Sequence, residues 1–299
     1  MKKSALISVF ALFTFLLATS VCFAEANGSR TDKKVGILLV AFGTSEASAQ
    51  VAFENIDRHV KAAFPQLPVR WAYTSHIIRE KLAKQGKILD SPVTALARMM
   101  DENFTHVAVQ SLHTMSGTEF HDLQRTIEGF KTMGGFDNIL LGLPMMATQD
   151  DMQKVVDAVL ASIPKTRNKN EAVVLMGHGT HHPANAFYAA LMFQLQLKDP
   201  NIYVGTVEGY PEIDMIQTMM QSKDIKKAYL MPLMAVAGDH AKNDMAGDEA
   251  DSWKSVLTRA GIKCEFILKG TAEYDVFADI WVGHLSDIVS HFYIKARCR

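Results

Sequence analysis

The chain has 299 residues, with 31 Lys and Arg against 32 Asp and Glu, giving a formal net charge of −1 at pH 7. Without a basic excess, a nucleic-acid surface is not expected. Three cysteines are too few for a disulfide framework, and they lack metal-site spacing.

The first residues read as an export signal. Lys2 and Lys3 precede the continuous apolar run "ALISVFALFTFLLATSV", and "CFA" ends at Ala24 before the polar "EANGSRTDKK". Cleavage is expected after Ala24, with the mature protein in the periplasm; an uncleaved membrane anchor is the alternative. Ser20-Val21 makes a poor lipobox before Cys22, which argues against a lipoprotein. Removing the first 24 of 299 residues leaves 275 and takes away Lys2 and Lys3 but no acid, so the charge moves to −3. No later run approaches the roughly 18 apolar residues of a membrane span, so none is expected after cleavage. Cys264 and Cys298 then remain and can form one bridge at most.

Strand-length apolar runs alternate with helical periodicity along the rest of the chain. "VGILLVAF" (35–42), "VRWAYT" (69–74), "THVAVQSL" (105–112) and "NILLGL" (138–143) read as strands, followed by "AVVLMG" (172–177), "IYVGTV" (202–207), "KAYLMPL" (227–233) and "CEFIL" (264–268). Amphipathic stretches such as "ASAQVAFENIDRHVKAAF" and "DEADSWKSVLTRAG" lie between them. Continuous apolar strands alternating with helices predict parallel sheets covered on both faces. The order of events also repeats: Phe42 aligns with His178, Gly43 with Gly179, and Gly117 with Gly238. The expected fold is α/β, with two pseudo-symmetric Rossmann-like lobes, each a parallel sheet flanked by helices, and a cleft between them. The expected divisions are a signal over 1–24, a first lobe over 25–145 and a second over 146–270. The segment 271–299 is expected to form a helix packing back on the first lobe.

Ligands of open parallel sheets bind beyond the carboxyl ends of the strands. Gly43-Thr44-Ser45, His113, the loop "GHGTHHPAN" (177–185), Glu208 and His240 all fall there. "GHGTH" invites a subtilisin-like reading, but "FGTS" precedes the histidine and no upstream aspartate sits where a triad needs it. A metal reading remains. His178, Glu208 and His240 end three successive strands of the second half, and two imidazoles with one carboxylate suit a divalent first-row metal while leaving coordination positions open. Each also has a plain reading: a hydrogen-bonded loop histidine, or a glutamate capping the next helix. One of His181 and His182 is expected to cap the helix beginning near Pro183. Asp239, Asp244, Asp248 and Asp251 read mostly as helix-start residues, with Asp244 the best cap. Met115 and Met234 suit either apolar ring contacts or core packing.

The motifs "LVAFGTS", "GHGTHHPAN", "VGTVEGYP" and "MPLMAVAGDHAKNDMAGDEADSW" resemble the anaerobic sirohydrochlorin cobaltochelatases of the CbiK type, class II chelatases related to ferrochelatase. The resemblance spans roughly residues 35 to 290. It implies a tetrapyrrole held between the lobes and ATP-independent insertion of Co2+ into sirohydrochlorin on the route to cobalamin, with Fe2+ fitting the same ligands. It places the metal on His178, Glu208 and His240, the trio already singled out. His178 is then expected to serve as ligand and proton acceptor, Glu208 as charge-balancing ligand and His240 as second ligand. Gly43, Thr44, Ser45, His113 and Gly117 are expected to hold the macrocycle, the "FGTS" stretch receiving its carboxylates at a helix N-terminus. Export does not match the cytoplasmic assembly of cobalamin. The alternative is therefore a periplasmic tetrapyrrole, haem or metal-binding protein on the same fold. His121 in "EFHDL" is either a surface residue or an axial haem ligand shared across a subunit contact. The sequence leaves open a homo-oligomer and does not fix the subunit number.

Overall fold

A computed structural model describes residues 32–293. The expected export signal and Cys298 lie outside the described residues. Strands β1 (Val35–Ala41), β2 (Val69–Tyr73), β3 (His106–Ser111) and β4 (Asn138–Gly142) form one sheet, and β5 (Ala172–Gly177), β6 (Ile202–Thr206), β7 (Lys227–Pro232) and β8 (Lys263–Phe266) a second. All pairings are parallel, in the orders β2-β1-β3-β4 and β6-β5-β7-β8. The two halves therefore share one topology. β1 and β5 are central strands buried along their whole length, which accounts for their unbroken apolar sequences.

Helices α1 (Gln50–Ala63), α2 (His76–Lys84), α3 (Pro92–Asp101) and α4 (Thr118–Met133) connect the first sheet, and α5 (Gln149–Ser162) leads into the second. α6 (Ala186–Lys198), α7 (Ile213–Ser222) and α8 (Trp253–Arg259) follow, and α9 (Asp275–His291) closes the chain. Their starts are written locally. Ser75 accepts from the Ile78 N–H, Ser91 from that of Thr94 with Pro92 at the first helical position, and Thr148 and Asp151 cap α5 reciprocally. α4 stops at Gly134, whose φ of +68° is a left-handed turn that glycine adopts without strain.

α9 packs on α1, β3, β4 and α5, burying Phe277, Trp281, Leu285 and Val289. Its His284, 7% exposed, bonds through Nδ1 to the Leu143 carbonyl (3.1 Å) and through Nε2 to Asp151 Oδ1 (2.8 Å). A single apolar core runs from Leu39 and Ile56 through Val155 and Trp281 to Val173, Leu191 and Val204. The sheets repeat, but they are sutured by a common interior rather than standing as separate globules. Among the described residues, no helix is long and apolar enough to cross a membrane.

The strands stop one residue short of most apolar runs. Phe42, Thr74, Leu112, Leu143, Val207 and Leu233 lie just past the last paired residue, where the chain leaves the sheet. β8 runs 263–266 rather than 264–268 because its pairing with β7 ends at Leu230–Phe266. The acidic stretch before α8 is a turn, and Ser252 caps the helix by accepting from the Ser255 N–H.

Candidate functional site

The carboxyl ends of β1, β3, β5 and β7 open on one cavity of about 460 Å3. Phe42, Gly43, Thr44 and Ser45 enter it after β1, His113, Met115, Gly117 and Glu119 after β3, His178, Gly179 and Thr180 after β5, and Met234, Val236 and His240 after β7. Ser75, Ile77, Ile78 and Lys81 of the α2 segment complete one wall. The lining is mostly apolar with few convergent polar groups, the usual make-up of a small-molecule site.

His178 follows β5 directly, and its loop is fixed by contacts that only glycine permits. Gly177 lies so close to the Tyr188 ring that a Cβ would come within 2.2 Å, and a Cβ on Gly179 (φ +85°) would meet the Glu208 carbonyl at 1.8 Å. The Tyr188 hydroxyl accepts from the Gly179 N–H at 3.4 Å, and burial raises its pKa to about 12, so it stays a neutral phenol. His182 caps the short turn at Pro183–Asn185, its Nδ1 accepting from the Ala184 N–H at 3.1 Å.

His240 begins a π-helical turn over Ala241–Met245, a geometry often found at functional sites. The turn brings Asp244 Oδ2 to 2.7 Å from His240 Nδ1. This corrects the cap expected at Asp244, which instead orients a histidine. His178 Nδ1 in turn lies 3.0 Å from the Gly179 carbonyl. A carbonyl can only accept, and an ionised carboxylate likewise, so both imidazoles carry a proton on Nδ1, and in the neutral form each presents its lone pair on Nε2. The two rings stand edge to face, 4.7 Å between centroids, on the same cavity wall.

The third member of the expected trio is placed differently. The Glu208 N–H donates to the His178 carbonyl at 2.7 Å, which pins its backbone beside the histidine loop. Its side chain is exposed and does not line the cavity. Among the described residues, no three His, Cys, Asp or Glu side chains are gathered as a metal cluster. Glu208 does not cap α7 either, since Glu212 holds that position.

On the opposite wall, Gly43 (φ +102°) turns the chain against Tyr73, and buried Thr44 accepts from the Glu46 N–H at 3.1 Å. The "FGTS" stretch is not itself a helix N-terminus. A 3-10 turn over Ala47–Ala49 intervenes and α1 begins only at Gln50, although Gly43, Thr44 and Ser45 all face the cavity. An ion pair between Lys242 and Glu46 ties the π turn to this loop.

His113 Nδ1 bonds to Ser111 Oγ at 2.8 Å, while its buried Nε2 has no hydrogen-bond partner among the described residues. Burial lowers its pKa to about 4, against a small opposing pull from Glu119, so the imidazole is neutral at pH 7. Gly117 precedes α4 as its N-cap. His121, one turn into α4, is half-buried with its ring 5.0 Å from that of His182, and neither lines the cavity. Cys264 is half-buried on β8, away from these groups, and burial pushes its thiol up to about 11.

Sequence reasoning missed Asp244 as partner of His240, Tyr188 beneath the His178 loop, Glu119 and Lys81. The i, i+4 spacing of His240 and Asp244 was the one available signal. The others are revealed by tertiary packing alone.

The cobalt chelatase (CbiK) family model matches residues 35–290. The chain is 44% identical over 257 residues to sirohydrochlorin cobaltochelatase CbiKC of Nitratidesulfovibrio vulgaris, covering 86% of this chain and 91% of the relative. It is 35% identical over 254 residues to the sirohydrochlorin cobaltochelatase of Salmonella typhimurium, covering 84% and 95%. Among solved structures, SirB from Bacillus subtilis with Fe3+ superposes with a TM-score of 0.61 at 16% identity, covering 87% of this chain and 97% of that one. CbiX, the terminal enzyme of sirohaem biosynthesis in denitrifying bacteria, gives 0.52 at 15% identity, covering 84% and 98%. At those identities the two structures bear on the fold alone, and they have the two-lobed α/β chelatase fold seen here. With the match covering nearly all of the described residues, the chain belongs to the cobalt chelatase (CbiK) family.

Proposed function

We propose that the chain inserts Co2+ into sirohydrochlorin without ATP, holding the metal on His178, His240 and Glu208. The observation that carries this reading is the pair of imidazoles, each with Nδ1 held by an acceptor, standing together on one wall of the cavity. Two neutral nitrogen ligands hold a divalent metal loosely enough to surrender it, and the Glu208 carboxylate, rotating in beside His178, balances its charge. The flat macrocycle lies against Phe42, Ile77, Met115 and Met234. Its peripheral carboxylates meet Gly43-Thr44-Ser45, His113, Gly117 and the exposed ammonium of Lys81. As four Co–N bonds form, two pyrrole N–H bonds break; His178, leaving the metal, takes one proton and passes it to solvent, and the second follows.

The test is a spectrophotometric insertion assay with sirohydrochlorin and Co2+, Fe2+, Ni2+ or Zn2+, without nucleotide. His178→Ala and His240→Ala should each lower kcat/KM for cobalt by ~100-fold or more. Near-normal rates in both would overturn the assignment.

The export signal expected over residues 1–24 motivates a second reading, in which a periplasmic member handles Fe2+ or binds tetrapyrrole without turnover. A haem on His121 would lie outside the cavity and need a second copy to enclose it. A Soret band lost in His121→Ala supports that reading, and a colourless protein that takes up no haem ends it.

A further inference from the structure

Three histidines line the cavity, His113, His178 and His240. The acceptors beside His178 and His240 put a proton on Nδ1 in both. Hydrogen-bond counting gives His113 the opposite tautomer. Ser111, the last residue of β3, is fully buried, and its Oγ lies 2.8 Å from His113 Nδ1. The same Oγ accepts from the His113 N–H at 3.4 Å. Among the described residues, His113 Nδ1 is the one acceptor that the Ser111 hydroxyl proton meets. Were Nδ1 protonated, the serine O–H and the Nε2 lone pair would both be left unpaired. With the proton on Nε2, Ser111 donates to Nδ1 and is satisfied, and a single group, the Nε2–H, is left over.

The rest of the residue is tied down. Its carbonyl accepts from the Met145 N–H at 3.0 Å and from Trp281 Nε1 at 3.3 Å, which anchors it to the segment after β4 and to α9. Burial lowers the ring pKa to about 4, so it is neutral at pH 7. Its one lone pair is on Nδ1 and taken by Ser111, so it neither grips a cation nor accepts a pyrrole proton. Glu119 lines the same cavity, yet its exposed carboxylate is not bonded to Nε2. A fixed donor closed to solvent carries its full desolvation cost until something supplies an acceptor.

We propose that His113 is the neutral donor that recognises a carboxylate of the macrocycle, and that Ser111, acting through it, is the positioning residue that holds the donating tautomer. The assignment rests on sirohydrochlorin occupying this cavity and deepens that reading. Entry of the macrocycle displaces side chains of the wall and brings the acceptor that solvent does not. The contact also selects: a tetrapyrrole with an alkyl group where the acid belongs leaves the Nε2–H unpaired and is refused.

Metal-free sirohydrochlorin titrated into the full chain, followed by its absorbance, tests the contact. His113→Leu should weaken binding by ~10–100-fold, and His113→Gln, which keeps a neutral N–H donor, should fall between it and the wild type, with circular dichroism unchanged in both. In the insertion assay, His113→Leu should raise the KM for sirohydrochlorin and leave that for Co2+ alone. Nitrogen-15 NMR of histidine-labelled protein at pH 7 should show His113, identified by its loss in His113→Leu, with the proton on Nε2 and a bare Nδ1. Ser111→Ala should turn that signal into a mixture of tautomers, which a residue that merely packs would not do. A proton on Nδ1 of the wild-type ring, undiminished binding by His113→Leu, equal losses in His113→Gln and His113→Leu, or a rise in the cobalt KM instead would each overturn the proposal. Cobalt insertion that persists beside any of these leaves the chelatase reading standing. A wild type that binds sirohydrochlorin but inserts no metal ends that reading alone, and one that binds none ends both.

Discussion

Asp244→Ala isolates the group that orients a histidine without touching the cavity wall. The substitution removes the acceptor 2.7 Å from His240 Nδ1. The ring is then free to carry its proton on Nε2, hiding the lone pair that a metal needs. Carboxylates in this position are worth roughly 10–100-fold in metal affinity or activity, about 1.4–2.7 kcal/mol. Folding should hardly notice. The two side chains are 34% and 43% exposed. An i, i+4 pair that open contributes about 0.5 kcal/mol, roughly 1–2 °C in Tm for a chain of this size. The insertion assay, run against Co2+ at saturating sirohydrochlorin and then the reverse, should show the KM for cobalt rising and that for the macrocycle unchanged. Asp244→Asn, which keeps an acceptor oxygen, should fall between. An unaltered cobalt KM, or activity lost only in step with the folded fraction, would refute the orienting role.

Gly179→Ala should abolish insertion and lower Tm. Its φ of +85° and the 1.8 Å approach of a Cβ to the Glu208 carbonyl leave no room without moving the His178 loop; a crystal structure with that loop in place would contradict this. Asp151→Ala removes both the carboxylate paired to buried His284 and half of the α5 capping box, and should cost about 3–5 kcal/mol, read in urea denaturation. Burial opposes the charge on Asp151, but the bonds from His284 and Thr148 outweigh it and lower its pKa, so this stability is present at neutral pH and lost as pH falls below the carboxylate range. His113 adds a second acid-sensitive element. Its pKa falls from 6.5 unfolded to about 4 folded, so the unfolded chain binds the extra proton and stability declines as pH drops from 6.5 to about 4. The decline is at most about 3 kcal/mol and should flatten in His113→Phe; an unchanged slope would assign it elsewhere.

The strands were legible because both sheets are covered on two faces, so burial writes unbroken apolar runs that need no periodicity to read. The duplication was legible for a different reason: Gly43 and Gly179 share positive φ values of +102° and +85° at the same turn, and no other residue serves there. His178 and His240 could be named because strand ends are where such sheets bind. What stayed hidden depends on side-chain direction. The acidic run around 239–251 looks uniform in sequence, yet Asp244 turns to His240, Asp248 to Lys254, and Asp239 to the amide of Asn243. Only the π turn distinguishes them. The expectation that "FGTS" opens α1 failed because the 3-10 turn at Ala47–Ala49 delays the helix, which apolar spacing does not register.

The repeat also accounts for why the cavity has unlike walls. His178 follows the last residue of β5, and Phe42 follows the last residue of β1. Gly238 lies six residues past β7 and Gly117 six past β3, so His240 and Glu119 occupy the same place two residues further on. One scaffold, used twice, thus presents two imidazoles from one side and an aromatic ring with a carboxylate from the other, all on a single cavity. A flat ligand between such walls would have its two faces in different chemistry: one towards His178 and His240, the other towards an apolar surface that also carries Lys81, His113 and Glu119. In the reaction proposed above, metal reaches the ring from the side of His178 and His240. With the ring on the opposite wall, as proposed, the two copies of the scaffold differ in side chain while keeping the same backbone turn at Gly43 and Gly179.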